Sequence, residues 1–191
     1  GIGRRLLEAC SADQLHFHPA PSSLQLAFAR IGRPWQDASW ISLHGRDPAP
    51  LAQRLQQRPT ALAVLTDPSR GDAEEVRTIL RASGLEASYA VWLCEQLGHA
   101  NERVKRLTSQ DELPSDLHPL HLVVLLAERD ISPGDPAELT LFGIDDGIFL
   151  QHHDRPGLMT KKELRVQLLA ELDLPEQGVI WDLGAGVGSV G

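Results

Sequence analysis

Cysteine is scarce in this chain of 191 residues: there are two, Cys10 and Cys94, far apart and without partner spacing. Two isolated cysteines exclude a disulfide framework and a cysteine metal site, and buried free thiols are expected instead. Long apolar runs are missing as well. No window approaches the roughly 18 consecutive apolar residues that a membrane helix needs. The opening "GIGRRLLEAC" also lacks the basic, apolar, small-residue order of a signal peptide. A cytoplasmic protein with no membrane partner is the expectation. Positive charge is short too, with 18 Lys and Arg against 26 Asp and Glu, a formal net charge of -8. That balance argues against nucleic acid as a partner, because nonspecific nucleic-acid binding runs on neutralising phosphates with Lys and Arg. Internal repeats and low-complexity tracts are absent.

What is present describes an ordinary globular protein: 42% hydrophobic, 23% charged and 13 prolines. The bases are unevenly spread. Residues 1–60 hold seven Arg against four acids, whereas the remainder holds 11 bases against 22 acids. A basic segment in an acidic protein either faces an anionic ligand or scatters solvated arginines over a surface.

The first 128 residues alternate short apolar runs with amphipathic helical patterns, the rhythm of an α/β layer. Strands are expected at 14–18 (QLHFH), 39–44 (SWISLH), 61–66 (ALAVLT), 89–97 (YAVWLCEQL) and 120–127 (LHLVVLLA). A helix is expected after Ser22, whose spacing to Gln25 is that of a capping box. Leu24, Ala27, Phe28 and Ile31 form its apolar stripe, and Gly32 with Pro34 forms its stop. A second helix runs from Asp72 toward Gly84, and a weaker one covers 50–58. The Pro-, Gly- and acid-rich stretch 129–147 reads as a connection between two units. A capped amphipathic helix follows, with Thr160 and Glu163 as its box, Leu164, Leu168, Leu169 and Leu172 as its buried face, and Pro175 with Gly178 as its stop.

The chain closes on "VIWDLGAGVGSVG", residues 179–191, where a strand-length apolar run meets alternating glycines Gly184, Gly186 and Gly188. Glycine is required there because the backbone takes positive φ, and because a Cβ would hold a ligand away from the main-chain N–H groups. Such a loop suits a carboxylate or a phosphate equally. Gly186, Gly188 and Gly191 satisfy the dinucleotide pattern, whose acidic partner would come about 20 residues further on. Asp182, two positions before the first glycine, points instead to the first motif of S-adenosylmethionine-dependent methyltransferases.

The wider context favours the methyl donor. The segment "MTKKELRVQLLAELDLPEQGVIWDLGAGVGSV" resembles the opening of the decarboxylating C15-methyltransferase domain of corrin biosynthesis, through Thr160, Lys161, Glu163, Arg165, Trp181, Asp182 and the glycine loop. Residues 1–128 resemble the later half of the tetrapyrrole (corrin/porphyrin) methylases, through "GIGRRLLE", "PSSLQLAFARIGRPWQDA", "SLHGRD" and "LCEQLGHANERV". The order of the two segments is that of fused C5,15-methyltransferases of the same family. The resemblance implies an α/β fold class: the C-terminal subdomain of a tetrapyrrole methylase over 1–128, a link over 129–147, and the start of a Rossmann-like class I methyltransferase domain over 148–191. It implies an internal fragment, with the isolated piece expected to be inactive.

By the same resemblance the cofactor is S-adenosylmethionine and the substrate partner a precorrin macrocycle. Thr160 and the loop Gly184, Ala185, Gly186, Val187 and Gly188 would contact the donor, with Asp182 orienting the loop. Ser23 and Leu24 match a Ser-aliphatic pair beside the donor in tetrapyrrole methylases. Thr160, Ser22 and Ser23 are equally well explained as helix caps. Trp92, Leu93 and Cys94 sit on a strand that borders the cleft in the family, and Leu122 lies on the last strand; all four equally suit the core. Arg4, Arg5, Arg30 and Arg33 could meet the carboxylate arms of the macrocycle, or serve helix ends and solvent. A homo-oligomer is compatible with the pattern. The eight histidines, including His16 with His18, His118 with His121 and His152 with His153, lack the i, i+4 spacing of a zinc helix, and no metal site is expected.

Overall fold

Four of the five apolar runs of the first 128 residues, together with the basic segment 103–107, become one five-stranded sheet in a computed structural model, which describes residues 2–69, 71–108, 111–128, 139–140, 142–152, 155, 157–175 and 177–191. The strands are β1 (Ser39–Ser42), β2 (Ala61–Leu65), β3 (Tyr89–Glu95), β4 (Arg103–Leu107) and β5 (His121–Ala127), in the spatial order β1-β2-β5-β3-β4. β1 and β2 are parallel and the other three pairings antiparallel. β5 comes last in sequence yet occupies the centre. Layers cover both of its faces, which is why it reads as an unbroken apolar run rather than an alternating one.

Four helices accompany the sheet: α1 (Ile2–Ala9), α2 (Ser23–Ile31), α3 (Ala49–Gln56) and α4 (Ala73–Ala82). Alternation along β2 sorts the two cores. Ala61 and Ala63 face α2, where Ala27 and Phe28 pack against Cys94, Leu122 and Val124. Leu62 and Val64 face α3 and α4, where Leu51, Leu55, Val76 and Leu80 meet Leu93, Val123 and Leu125. The small residues on the α2 face leave room for the Phe28 ring, and burial of such a side chain stabilises by about 1.5–3 kcal/mol.

Local chemistry starts and stops these helices where the sequence says it should. Ser22 Oγ accepts from the Gln25 N–H at 3.2 Å while Gln25 Oε1 accepts from the Ser22 N–H at 2.8 Å, closing the capping box of α2. Gly32 ends it at φ 78°, a left-handed position that favours glycine. Asp72 caps α4 by accepting from the Glu75 N–H at 3.0 Å.

Several expectations are corrected. Residues 14–18 form no strand: one 3-10 turn covers Ala12–Gln14, and His16, Phe17 and His18 are exposed with no neighbouring strand to pair. β4 went unanticipated because three of its five residues are basic, a composition that suits an edge strand with one buried anchor, Leu107. The short amphipathic α1 was likewise not anticipated. Cys94 is buried as expected, but Cys10 is only half-buried.

The later part of the chain departs further. α5 (Lys162–Glu171) forms, but its N-cap is Lys161 and no Thr160–Glu163 box closes. Its leucines are not its buried face: Leu164, Leu168 and Leu172 are exposed, Leu169 is half-buried, and Arg165 is the buried side chain. Residues 179–183 form no strand and are exposed, since no strand of the described residues lies beside them. Much of the expected link, 129–138 and residue 141, lies outside the described residues, as do His153 and Asp154.

What is described of 142–171 docks on the end of α4 through backbone and polar contacts. A Cβ at Gly84 (φ 70°) would stand 2.7 Å from the Gly147 nitrogen, so the two stretches of backbone meet where side chains are missing. Gln151 Nε2 donates to the Ser83 carbonyl at 3.0 Å and Gln151 Oε1 accepts from the Gly157 N–H at 2.7 Å. Arg165 donates to Asp146 Oδ1 at 2.5 Å, to the Thr160 carbonyl at 2.6 Å and to the Ile144 carbonyl, with the Phe149 ring 4.7 Å away.

Candidate functional site

The strand ends nearest the start of α2 leave a cavity of about 280 Å³. Ser23 of α2 lines it together with Ser42 at the end of β1 and His44 after it, Leu65 and Thr66 at the end of β2, Cys94, Gln96 and Leu97 at the end of β3, and Leu120, His121 and Leu122 at the start of β5. β1, β2 and β3 converge there with their C-terminal ends, and β5, being antiparallel, contributes its N-terminal end. Four leucines and a few hydroxyl, amide and imidazole groups make a site of the kind that holds a largely apolar ligand and orients it by a small number of polar contacts. On the other side of the α2 N-terminus, Leu24 and Phe28 with Trp35 and Trp40 line a second cavity of about 290 Å³.

Fixed contacts hold the rim. Asp67 Oδ1 accepts from the Ser69 hydroxyl at 2.6 Å and the Ser69 N–H at 2.8 Å, while Oδ2 accepts from the Gly45 N–H at 2.7 Å and stands 3.6 Å from His44 Nδ1. Those donors, the Ser69 hydroxyl foremost, hold the carboxyl down at about 2. Asp67 thereby ties the loop after β1 to the loop after β2, with His44 exposed beside it at the mouth. At the opposite edge Glu95 is buried. Burial alone would raise its carboxyl, but paired donation from Arg103 and a 2.9 Å bond from the His118 N–H outweigh it and hold the group below its usual range. Arg103 also donates to Asp116 at 2.9 Å, anchoring the loop before β5. Cys94 is no nucleophile here: burial first, then the nearby Glu102 and Glu95 carboxylates, push its thiol up to about 12.

The sequence-expected residues divide into three groups. Ser23 and Leu24 lie together at the start of α2 but open onto different cavities, with Ser22 rather than either of them acting as the cap. Thr160 is half-buried before α5 and its carbonyl accepts from Arg165. Asp182 and Gly184, Ala185, Gly186 and Gly188 are exposed and Val187 half-buried, and the three glycines take φ of 84°, 58° and 70°. A 2.9 Å bond from the Gly188 N–H to the Ala185 carbonyl shapes that loop, and among the described residues no hydrogen bond joins it to Thr160. Of the arginines, Arg4 pairs with Glu8, Arg30 with Glu102 and Arg33 with Asp37, Arg5 is exposed, and none of the four lines either cavity. Among the described residues no group of His, Cys, Asp and Glu is arranged to hold a metal ion, and no helix is long and apolar enough to cross a membrane.

Sequence reasoning missed Thr66, Gln96 and His121 as lining residues. Gln96 sits at φ 48°, an uncommon backbone for a residue with a side chain, and such positions gather at ligand sites. The "EQLG" turn after an apolar run was the available signal.

A helix-flanked mixed sheet with a cleft at its strand ends is a scaffold for binding a small ligand. The chain belongs to the tetrapyrrole (corrin/porphyrin) methylases, whose family pattern matches residues 1–112. Along its whole length it is 32% identical to the precorrin-6Y C(5,15)-methyltransferase (decarboxylating) of Sinorhizobium sp and 31% identical to the protein of that name from Mycobacterium tuberculosis (strain CDC 1551 / Oshkosh). It spans 44% and 45% of those two relatives' lengths. Among solved structures, the methyltransferase CobJ matches 65% of this chain over 57% of its own, at 20% identity and a TM-score of 0.49.

Proposed function

We propose that the cleft at Ser23, Thr66, Gln96 and His121 is one wall of an S-adenosylmethionine site, and that the protein methylates a precorrin macrocycle at C5 in cobalamin biosynthesis. Residues 1–128 are the later part of the tetrapyrrole methylase unit, 129–147 the link, and 148–191 the start of a class I methyltransferase unit. That second unit, with Thr160, Asp182 and Gly184–Gly188 at its donor, methylates C15 with decarboxylation of an acetate side chain. The observation that carries the reading is the apolar, sparsely polar cleft formed by strand ends, lined by Ser23, Ser42, Thr66 and Gln96 within the family-matched residues 1–112 and by Leu120–Leu122 just beyond them. When bound, the sulfonium donor supplies a methyl group already joined to a good leaving group. The protein's task is then orientation: Asp67 fixes the rim, the leucines exclude water, and the polar groups hold the donor in line with the attacking carbon.

The arginines Arg4, Arg5, Arg30 and Arg33 remain proposed partners of the macrocycle's carboxylates. For Arg4, Arg30 and Arg33 this role means exchanging a present acidic partner, Glu8, Glu102 or Asp37, for a substrate carboxylate. A second reading is supported by the exposed glycine loop and the unpaired run 179–183: these 191 residues alone act as a folding or oligomerisation module.

Calorimetric titration of S-adenosylhomocysteine and, separately, of NAD into the natural full-length protein and into these 191 residues tests the proposal. Saturable binding of S-adenosylhomocysteine by the full-length protein is expected. Binding of NAD alone would overturn the methyl-donor reading in favour of a dinucleotide oxidoreductase.

A further inference from the structure

Replacing hydrogen by methyl on a ring carbon releases a proton, which a positioned base can accept as the new bond forms. Among the described residues that line the cleft, few could do so. The hydroxyls of Ser23, Ser42 and Thr66 and the amide of Gln96 are not bases at neutral pH, and the Cys94 thiol, pushed up to about 12, keeps its own proton. His121 turns Nδ1 to the His118 carbonyl at 2.8 Å, and its Nε2 is sealed from solvent and left bare. That leaves His44, whose side chain is 77% exposed at the mouth.

Strand alternation puts His44 on the cleft side of the sheet. Leu43 still bonds to β2, its N–H donating to the Leu65 carbonyl at 2.8 Å, and its side chain is sealed in the core with those of α3 and α4. Ser42 and His44, one position to either side, line the cleft beside Ser23 on the opposite face. His44 Nδ1 stands 3.6 Å from Asp67 Oδ2, and among the described residues no hydrogen bond occupies Nε2. Donation from Ser69 and Gly45 keeps that carboxylate ionised. An ionised acid on the Nδ1 side favours the tautomer with its hydrogen there, leaves the Nε2 lone pair free, and offsets the charge the ring gains when it takes a proton. At about 280 Å³ the cavity takes the donor but not a macrocycle, so the attacked ring carbon meets the methyl group at the mouth, beside His44.

We propose that His44 is the general base of the C5 transfer. Its Nε2 takes the proton that the attacked carbon gives up as that carbon bonds to methyl. The sulfur–methyl bond breaks with its electron pair staying on sulfur as a thioether, and the C–H pair returns to the conjugated macrocycle. Asp67 steadies the imidazolium so formed. This assignment rests on the methyl-donor reading and adds a catalytic residue to it.

The test uses the natural full-length protein, a precorrin substrate and S-adenosylmethionine with an isotopically labelled methyl group, the label being read separately at C5 and C15 by NMR. In His44→Gln, which keeps a polar side chain but accepts no proton, label at C5 should appear roughly a hundredfold to ten-thousandfold more slowly while label at C15 persists. Calorimetric affinity for S-adenosylhomocysteine should be unchanged, since holding the donor requires no proton acceptor. In His44→Gly, added imidazole should restore part of the C5 labelling, because the exposed position leaves room for it. C5 labelling by His44→Gln at the unaltered rate would overturn the role of His44, as would a His44→Gly variant that does not respond to imidazole. Loss of label at both positions, or of affinity for S-adenosylhomocysteine, would overturn it too, by marking a structural role. An unaltered protein that labels C15 but never C5, or that binds no S-adenosylhomocysteine, overturns the methyl-donor reading of the cleft itself.

Discussion

The sheet unit and the segment after it solve the problem of burial in opposite ways. In residues 23–127 apolar side chains find apolar partners: Phe28, Leu62, Leu93 and Leu125 are all but sealed from solvent. In 142–183 the large apolar side chains Phe142, Leu150, Leu164, Val179, Trp181 and Leu183 stand in solvent, and the buried anchor is a cation, Arg165, satisfied by an acid and two carbonyls. An amphipathic pattern specifies a buried face only where a second layer exists to cover it. The first region holds by hydrophobic packing. The second holds by polar bonds and close backbone approach.

The largest effects should come from the first region. Phe28→Ala empties the α2 face of the sheet and is expected to cost about 3–5 kcal/mol. The formally similar Leu164→Ala should change stability by no more than about 0.5 kcal/mol, since that leucine is 58% exposed. Urea unfolding of both variants checks the contrast, and equal losses would erase the distinction between the regions. Next comes Arg103→Ala, which leaves Glu95 buried without its ion-pair partner. About 2–3 kcal/mol is expected, below the full cost of orphaning a buried charge because the Arg103 side chain itself is 40% exposed.

Gly84→Ala sharpens the comparison from the other side. The new Cβ meets the Gly147 backbone and must adopt φ near 70°, a cost of about 1–3 kcal/mol that falls on the docking rather than on the sheet. Hydrogen exchange should quicken at 144–151 with β2 and β5 unchanged, and uniform quickening would contradict the idea of separate supports. The smallest effect is confined to acid. Because the Asp67 carboxyl is depressed to about 2 from an ordinary 3.8, its contribution to stability is present above pH 3.8 and is lost as pH falls toward 2. In Asp67→Asn that acid limb of the thermal midpoint against pH should flatten.

How much of this was legible beforehand varies with the range of the forces involved. The Ser22–Gln25 cap, the Asp72 cap and the Gly32 stop are interactions between near neighbours, and they form as spacing foretold. Four of the five strands were legible from their apolar runs, most clearly β2, β3 and β5, whose two faces are largely buried. β4 was not, since an edge strand needs only Leu107 inside and can carry charge elsewhere. The sequence marked Ser23, Cys94 and Leu122 as residues of the cleft or the core. It did not mark Thr66, Gln96 or His121 as lining the cleft, because their meeting depends on β5 inserting between β2 and β3.

Composition, glycine positions, the apolar period and the Ser22 and Asp72 caps are properties of short stretches, and the chain's covalent order alone determined them. Which apolar runs became strands, which face of α5 was covered and which nitrogen of His121 was left bare depended on groups brought together from distant positions. Burial and hydrogen-bond satisfaction are set by neighbours in space, and only the tertiary structure supplies those.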